Sequence, residues 1–168
     1  MTVRRLLPAD APAYRALMLE AYALHPDAFT SSVAERAALP LSWWEGRLFA
    51  SPASVERVFG AFDGAQLVGA AGLSFEPREK ARHKSHLFGM YVAPAFRQHG
   101  FGRKIVNAVL DAARAHEGVQ LIQLTVSEGN AAAQALYERC GFVSFGVEPM
   151  AVRVDGGFVA KVHMWRRL

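Results

Sequence analysis

Between Ser85 and Asn107 the chain reads Ser-His-Leu-Phe-Gly-Met-Tyr-Val-Ala-Pro-Ala-Phe-Arg-Gln-His-Gly-Phe-Gly-Arg-Lys-Ile-Val-Asn, and no other stretch limits the possible folds as much. An apolar strand, a turn at Ala93-Pro94 and an Arg97-x-x-Gly100-x-Gly102 loop follow one another. Ile105, Val106, Val109, Leu110 and Ala113 then repeat at the helical period. A strand that passes through a glycine loop into a helix can bring successive N–H groups and the positive end of a helix dipole to one point, which suits an anion. Glycines at 100 and 102 permit positive φ and let a ligand approach where a Cβ would stand in the way. Arg97, Arg103 and Lys104 add charge around the loop. Taken alone, the loop also fits an ordinary strand-to-helix turn.

A second segment adds to this. From Leu121 the chain gives Leu-Ile-Gln-Leu-Thr-Val, then Ser127-Glu-Gly-Asn130, then Ala-Ala-Ala-Gln-Ala-Leu136-Tyr137-Glu-Arg-Cys140-Gly141-Phe142. In this order and spacing the two segments resemble the GNAT superfamily of N-acetyltransferases. The family's Val-x-x-x-Asn-x-x-Ala-x-x-Leu-Tyr-x-x-x-Gly-Phe pattern is met at Val126, Asn130, Ala133, Leu136, Tyr137, Gly141 and Phe142. The resemblance implies acetyl-CoA as co-substrate and no metal. It places the pyrophosphate on the loop of Arg97, Gln98, His99, Gly100, Phe101, Gly102 and Arg103. It also pairs the pantetheine arm with the main chain of Met90, Tyr91 and Val92, on a strand splayed from its parallel neighbour. Asn130 is expected to cap a helix and to meet the same arm.

At 168 residues, 52% of them hydrophobic, the chain suits one domain over 1–168 with a substantial core. The formal charge of +4 comes from scattered Lys and Arg, and the densest run, Arg78 to Lys84, reads as a solvated loop. There is no helix-turn-helix signature and no platform of aromatic and basic residues, so nucleic acid is not an expected partner. The single cysteine, Cys140, excludes an internal disulfide and reads as a packed core thiol. Neither a signal peptide nor an apolar run of membrane-spanning length is present, so a soluble, cytoplasmic protein with no membrane partner is expected.

In chain order, Thr2 to Leu7 reads as a strand, and Asp10 as the N-cap of a helix with Tyr14, Leu17, Met18, Ala21 and Tyr22 on one face. Ser32-x-x-Glu35 suggests a short capped turn. Ser42-Trp-Trp-Glu45 suggests a capping box opening a helix to about Phe49. Val55–Phe62 and Gln66–Glu76 form a hairpin about Asp63-Gly64. The strands His86–Val92 and Val119–Val126 lie parallel across the helix from about Gly100 to His116. Asn130 caps the next helix, which ends at Cys140 with Gly141 beyond it. Phe142–Glu148 and Phe158–Trp165, separated by Pro149 and the Asp155-Gly-Gly turn, close the sheet. The predicted fold is a three-layer α/β domain, a mixed GNAT-like sheet of about seven strands with a central splayed parallel pair and about four helices.

Acyl transfer from a thioester to a primary amine needs an anchored donor, a free amine, stabilisation of the developing oxyanion and an acid for the leaving thiolate. A backbone N–H of the splayed strand can polarise the thioester carbonyl. Tyr137, protonated at neutral pH, is the natural acid. Family members often carry a glutamate as base at positions where this chain has His86 and Thr125. Threonine cannot serve, and His86 can do so directly or through water. Glu76, Glu79 and a water chain stay open. The expected activity is direct transfer from acetyl-CoA to the amine of a small molecule or peptide. The missing glutamate keeps a non-catalytic acyl-CoA-binding domain as the alternative. Residues 25–50 and 148–158 are expected to line the acceptor site, Trp43 and Trp44 to be core and rim packing with one of them touching substrate, and the C-terminal hairpin to offer a surface for a possible homodimer.

Overall fold

The computed structural model describes residues 1–168. One sheet of seven strands organises the chain: β1 (Thr2–Arg5), β2 (Glu56–Asp63), β3 (Gln66–Phe75), β4 (Lys84–Val92), β5 (Leu121–Ser127), β6 (Val143–Val154) and β7 (Gly157–Arg167). Their order across the sheet is β1-β2-β3-β4-β5-β7-β6. Every pairing is antiparallel except β4 with β5, whose connection carries the helix α4 (Phe101–Arg114). That parallel ladder is short. Lys84, Ser85 and His86 pair with Leu121, Ile122 and Gln123, after which β4 and β5 part, β4 staying paired with β3 and β5 with β7. The site is built in this opening.

Each face of the sheet is covered. On one, α4 buries Ile105, Val106, Val109 and Leu110 against the strands together with Tyr137 and Cys140 of the α5 region (Ala131–Arg139). Four such aliphatic side chains contribute roughly 1.5–3 kcal/mol each relative to exposure. On the other, α1 (Ala11–Leu24) and α3 (Leu41–Leu48) bury Tyr14, Met18, Trp44 and Leu48 against Val58, Ala70 and Tyr91. The basic run is solvated as expected, Arg78 being 81% exposed and paired with Glu76 at 2.9 Å. Cys140 is a buried thiol, its pKa raised by that burial. No helix is long and apolar enough to cross a membrane.

Four local features differ from the expectations. Ser32 and Glu35 make both reciprocal bonds of a capping box, 3.1 and 3.0 Å, so the expected turn is a fifth helix, α2 (Val33–Ala37). Asp10 stands at the N-cap of α1, but its side chain makes no capping bond there. Its carboxylate reaches back to the Leu7 N–H and to both Arg4 Nη atoms, each at 2.8 Å, and closes a 3-10 turn over Pro8–Asp10. Ser42 lies inside α3, because Pro40, with φ −67° and ψ 158°, takes the N-cap position and starts that helix two residues earlier. Pro149 does not end β6. As the outermost strand it has a free edge that requires no N–H donor, and the chain absorbs the proline in a register shift between Glu148 and Val152, with Met150 at φ 52°.

Candidate functional site

The loop before α4 leaves its main-chain donors free. Six consecutive N–H groups, Gln98 to Arg103, find no acceptor in the protein, and the first bond from α4 back to the loop is Lys104 N–H to the Gly100 carbonyl at 3.2 Å. Gly100 has φ 81°, and a Cβ built there meets nothing within 4 Å, so the space above the loop is open. The other positive φ belongs to Gln98 (64°), not to Gly102. Gly102 is helical, and its role is closeness: a Cβ there would stand 3.1 Å from Leu136 Cδ2 and 3.4 Å from Met90 Cε. The loop is pinned by the His99 Nδ1–H bond to the Arg97 carbonyl (2.7 Å) and by Phe101 edge-on against Phe96 (6.0 Å). Arg97 braces it. Its Nε donates to the Val92 carbonyl at 2.9 Å, and its guanidinium meets His25 Nε2 at 2.9 Å over the Tyr91 ring. The Val92 carbonyl is thereby occupied. Arg103 and Lys104 remain exposed beside the loop.

Where β4 and β5 separate, a cavity of about 270 Å³ opens between the strands and the helices α1, α2 and α3. Met90, Asn130 and Tyr137 line it, which brings three of the expected site residues together. Asn130 Oδ1 accepts from the Ala133 N–H at 3.3 Å and so caps α5. Tyr137 is 5% exposed and packs edge-on against Phe142 at 5.9 Å. Burial, and after it Cys140, pushes the phenol pKa up, with no hydrogen bond acting on it. Tyr91 points elsewhere: its hydroxyl donates to Glu20 Oε1 at 2.8 Å, and burial followed by that bond pushes its pKa up to about 12.

His86 is not on the cavity wall. It pairs with Ser74 on β3 and Gln123 on β5, and shares a face of β4 with Phe88, which does line the cavity. Two residues of strand put it about 6.6 Å further back. Burial lowers its pKa, while Glu76 acts in the opposite direction. Glu76 itself is held by Arg78. Neither Glu76 nor Glu79 reaches the wall, and no carboxylate lines it. Thr125 does.

The wall also carries residues that the sequence did not single out as site residues, among them Arg36, Arg47, Phe88 and Lys161. Tyr14, Met18 and Tyr22, read as a core face at helical spacing, are core and wall at once. Trp44 is fully buried and Trp43 half-buried, and neither lines the cavity. The 148–158 segment stays away, because β6 lies outside β7; the hairpin's contribution is Lys161, whose Nζ donates to Thr30 Oγ1 at 2.8 Å. Phe88 owes its position to Gly72, since any Cβ at 72 would collide with its ring, and the Arg47 guanidinium lies over that ring at 4.6 Å. Gly72→Ala is therefore expected to drive Phe88 toward Arg47 and the cavity. It should narrow the cavity and destabilise the fold by about 1–3 kcal/mol. A melting curve and a crystal structure of the variant check this, and a Phe88 ring left in place with Tm unchanged would show that Gly72 does not set its position.

Residues 18–142 match the model of the acetyltransferase (GNAT) family. N-alpha-acetyltransferase RimI of Mycobacterium tuberculosis is 39% identical over 98 residues, 58% of this chain and 58% of that protein. Mycothiol acetyltransferase of Beutenbergia cavernae is 31% identical over 149 residues, 89% of this chain and 45% of that one. The chain thus spans about half the length of these curated relatives. The structure of yncA from Salmonella typhimurium, determined with its cofactor acetyl-CoA, superimposes with a TM-score of 0.81 at 24% identity, over 100% of this chain and 94% of that one.

Proposed function

The chain belongs to the GNAT acetyltransferase family, and from that premise we propose that it is an N-acetyltransferase moving an acetyl group directly from acetyl-CoA to a primary amine. The observation that carries the reading is spatial. A six-donor anion cradle precedes α4, the freed edge of β4 leads from it, and Tyr137 faces the cavity where β4 and β5 part. When bound, acetyl-CoA supplies a thioester whose acyl carbon is open to an amine. The N–H groups of residues 98–103 hold its pyrophosphate, and the helix dipole adds about 0.3–1 kcal/mol. Along β4, Met90 and Tyr91 are the main-chain partners of the arm, since the Val92 carbonyl is occupied by Arg97. As the C–N bond forms and the C–S bond breaks, the Tyr137 hydroxyl gives its proton to sulfur. The amine's proton leaves through water toward His86, which is too far along β4 for direct contact.

Release of free thiol from acetyl-CoA across an amine panel tests this. Turnover with any amine supports it. No turnover, with coenzyme A still raising Tm, favours the second reading, an acyl-CoA-binding domain, which the absence of a carboxylate on the cavity wall supports.

A further expectation concerns His86. Because burial lowers its pKa, its basic form is complete at lower pH than for a free imidazole. The rising limb of log(kcat/KM) should accordingly centre below about 6.5. His86→Gln should remove that limb and lower the rate near neutrality, with His83→Gln and His99→Gln as controls. If limb and rate both survive, solvent alone takes the proton.

A further inference from the structure

Three cations line the cavity and no carboxylate does: Arg36 from α2, Arg47 from α3 and Lys161 from β7. A simple amine reaches such a wall as ammonium and is repelled. Only Arg47 has an acidic partner, Glu56, which takes its Nε at 3.2 Å; Arg36 and Lys161 are in no ion pair. The nearest acids in sequence or register are used elsewhere. Glu35, beside Arg36, accepts from the Ser32 N–H, and Glu148, opposite Lys161 in the β6–β7 ladder, accepts from His163 at 2.8 Å. Nor do the cations sweep freely through solvent. Arg36 and Arg47 lie 4.6 and 5.3 Å from the centroid of the Trp43 ring, Arg47 also lies over Phe88, and Lys161 is held by Thr30. Their field reaches inward: at Tyr14 and Tyr22 the two guanidiniums oppose the burial that raises both phenols.

We propose that the acceptor is a primary amine that also bears a carboxylate, and that Arg36, Arg47 and Lys161 hold this carboxylate while the amine faces Tyr137. The inference rests on the acetyltransferase reading and names the substrate class of the same site. Guanidinium forks match a carboxylate through paired N–H donors, and lysine adds a point charge. Attraction to the carboxylate offsets repulsion of the ammonium. The same cations then favour the free amine over its protonated form, in a cavity that supplies no carboxylate to take the proton.

The test compares thiol release from acetyl-CoA with the twenty amino acids, each against its own methyl ester, and with dipeptides beginning in Asp or Glu against their diamides. The amino-acid arm reports a small-molecule acceptor and the dipeptide arm a peptide terminus. In at least one arm the acid is expected to exceed its ester or amide in kcat/KM by about tenfold or more. Arg36→Gln with Lys161→Gln should bring that ratio toward one, Arg36→Lys should restore part of it, and the coenzyme A-induced rise in Tm serves as the folding control. Esters, amides or polyamines used as well as the acids would overturn the inference while leaving acetyl transfer intact. If no amine turns over, Tm in the presence of coenzyme A decides: N-acetyl amino acids should raise it, their amides should not, and equal effects, or none, overturn the proposal. Loss of the coenzyme A shift itself would instead count against the acetyltransferase reading.

Discussion

Replacing Gly100 by valine is expected to abolish the rise in Tm that coenzyme A should give the parent protein if the proposed function holds. Gly100 is the N-cap of α4 at φ 81° and ψ 1°, a left-handed conformation that costs a β-branched residue about 1–3 kcal/mol. The substituted loop relieves that strain by returning φ to negative values. The peptide planes on either side then turn, and the run of free donors from Gln98 to Arg103 no longer converges. A ligand at a hundred times its Kd adds about 2.7 kcal/mol to the folded state, so its loss is easily read in a melting curve. The ligand-free Tm should fall by no more than that backbone strain entails, because nothing lies within 4 Å of a Cβ at this position and no packing is lost. Gly102→Val is a different experiment. That residue is helical and its Cβ would press on Leu136 at 3.1 Å, so the damage should spread to the cavity wall and α5. A full coenzyme A shift in Gly100→Val would remove the loop from the cofactor site.

The features legible in the sequence are those enforced by short-range chemistry. The glycine loop, the aliphatic period of α4 and the Asn130 cap each follow from residues within a turn or two of one another, and each stands where its pattern put it. The parallel β4–β5 pair followed from strand, helix and strand in succession. The separation after His86 is different: it was implied by the family resemblance, and it depends on which strands lie beyond β5. The cationic wall was illegible for a related reason. Arg36, Arg47 and Lys161 come from three elements as far apart in the chain as α2 and β7, and no local period links them. Trp43 and Trp44 drew attention as bulky side chains, yet Trp43 acts through the two arginines beside it. The positive φ of Gln98 was missed because composition points to glycine, and that of Met150 because Pro149 read as a strand end.

Tyr137→Phe is expected to slow acetyl transfer by roughly 10²-fold or more while coenzyme A still raises Tm as in the parent. Phenylalanine keeps the ring that packs edge-on against Phe142, so the core of α5 is undisturbed. The hydroxyl has no hydrogen bond acting on it, so its removal leaves no buried partner unsatisfied and Tm should change little. On the proposed mechanism, what is lost is the proton for the leaving sulfur. A thiol of ordinary pKa, about 8.5, is a stronger acid than a phenol of about 10, so donation to a free thiolate in water runs uphill. Burial raises the Tyr137 pKa further, but the same burial penalises a thiolate forming beside it, which removes the incentive to leave as an anion. The raised pKa also fixes the sign of the pH dependence. Tyr137 stays protonated across the neutral range, so it should contribute no falling limb to kcat below about pH 10, and any limb seen there belongs to another group. Measured by thiol release at saturating acetyl-CoA, the variant should show a lower kcat at every pH with the shape of the rising limb unchanged, since that limb is assigned to His86 and not to the acid. Turnover within about twofold of the parent would mean that sulfur takes its proton from water, and Tyr137 would then be a wall residue like Tyr14 and Tyr22.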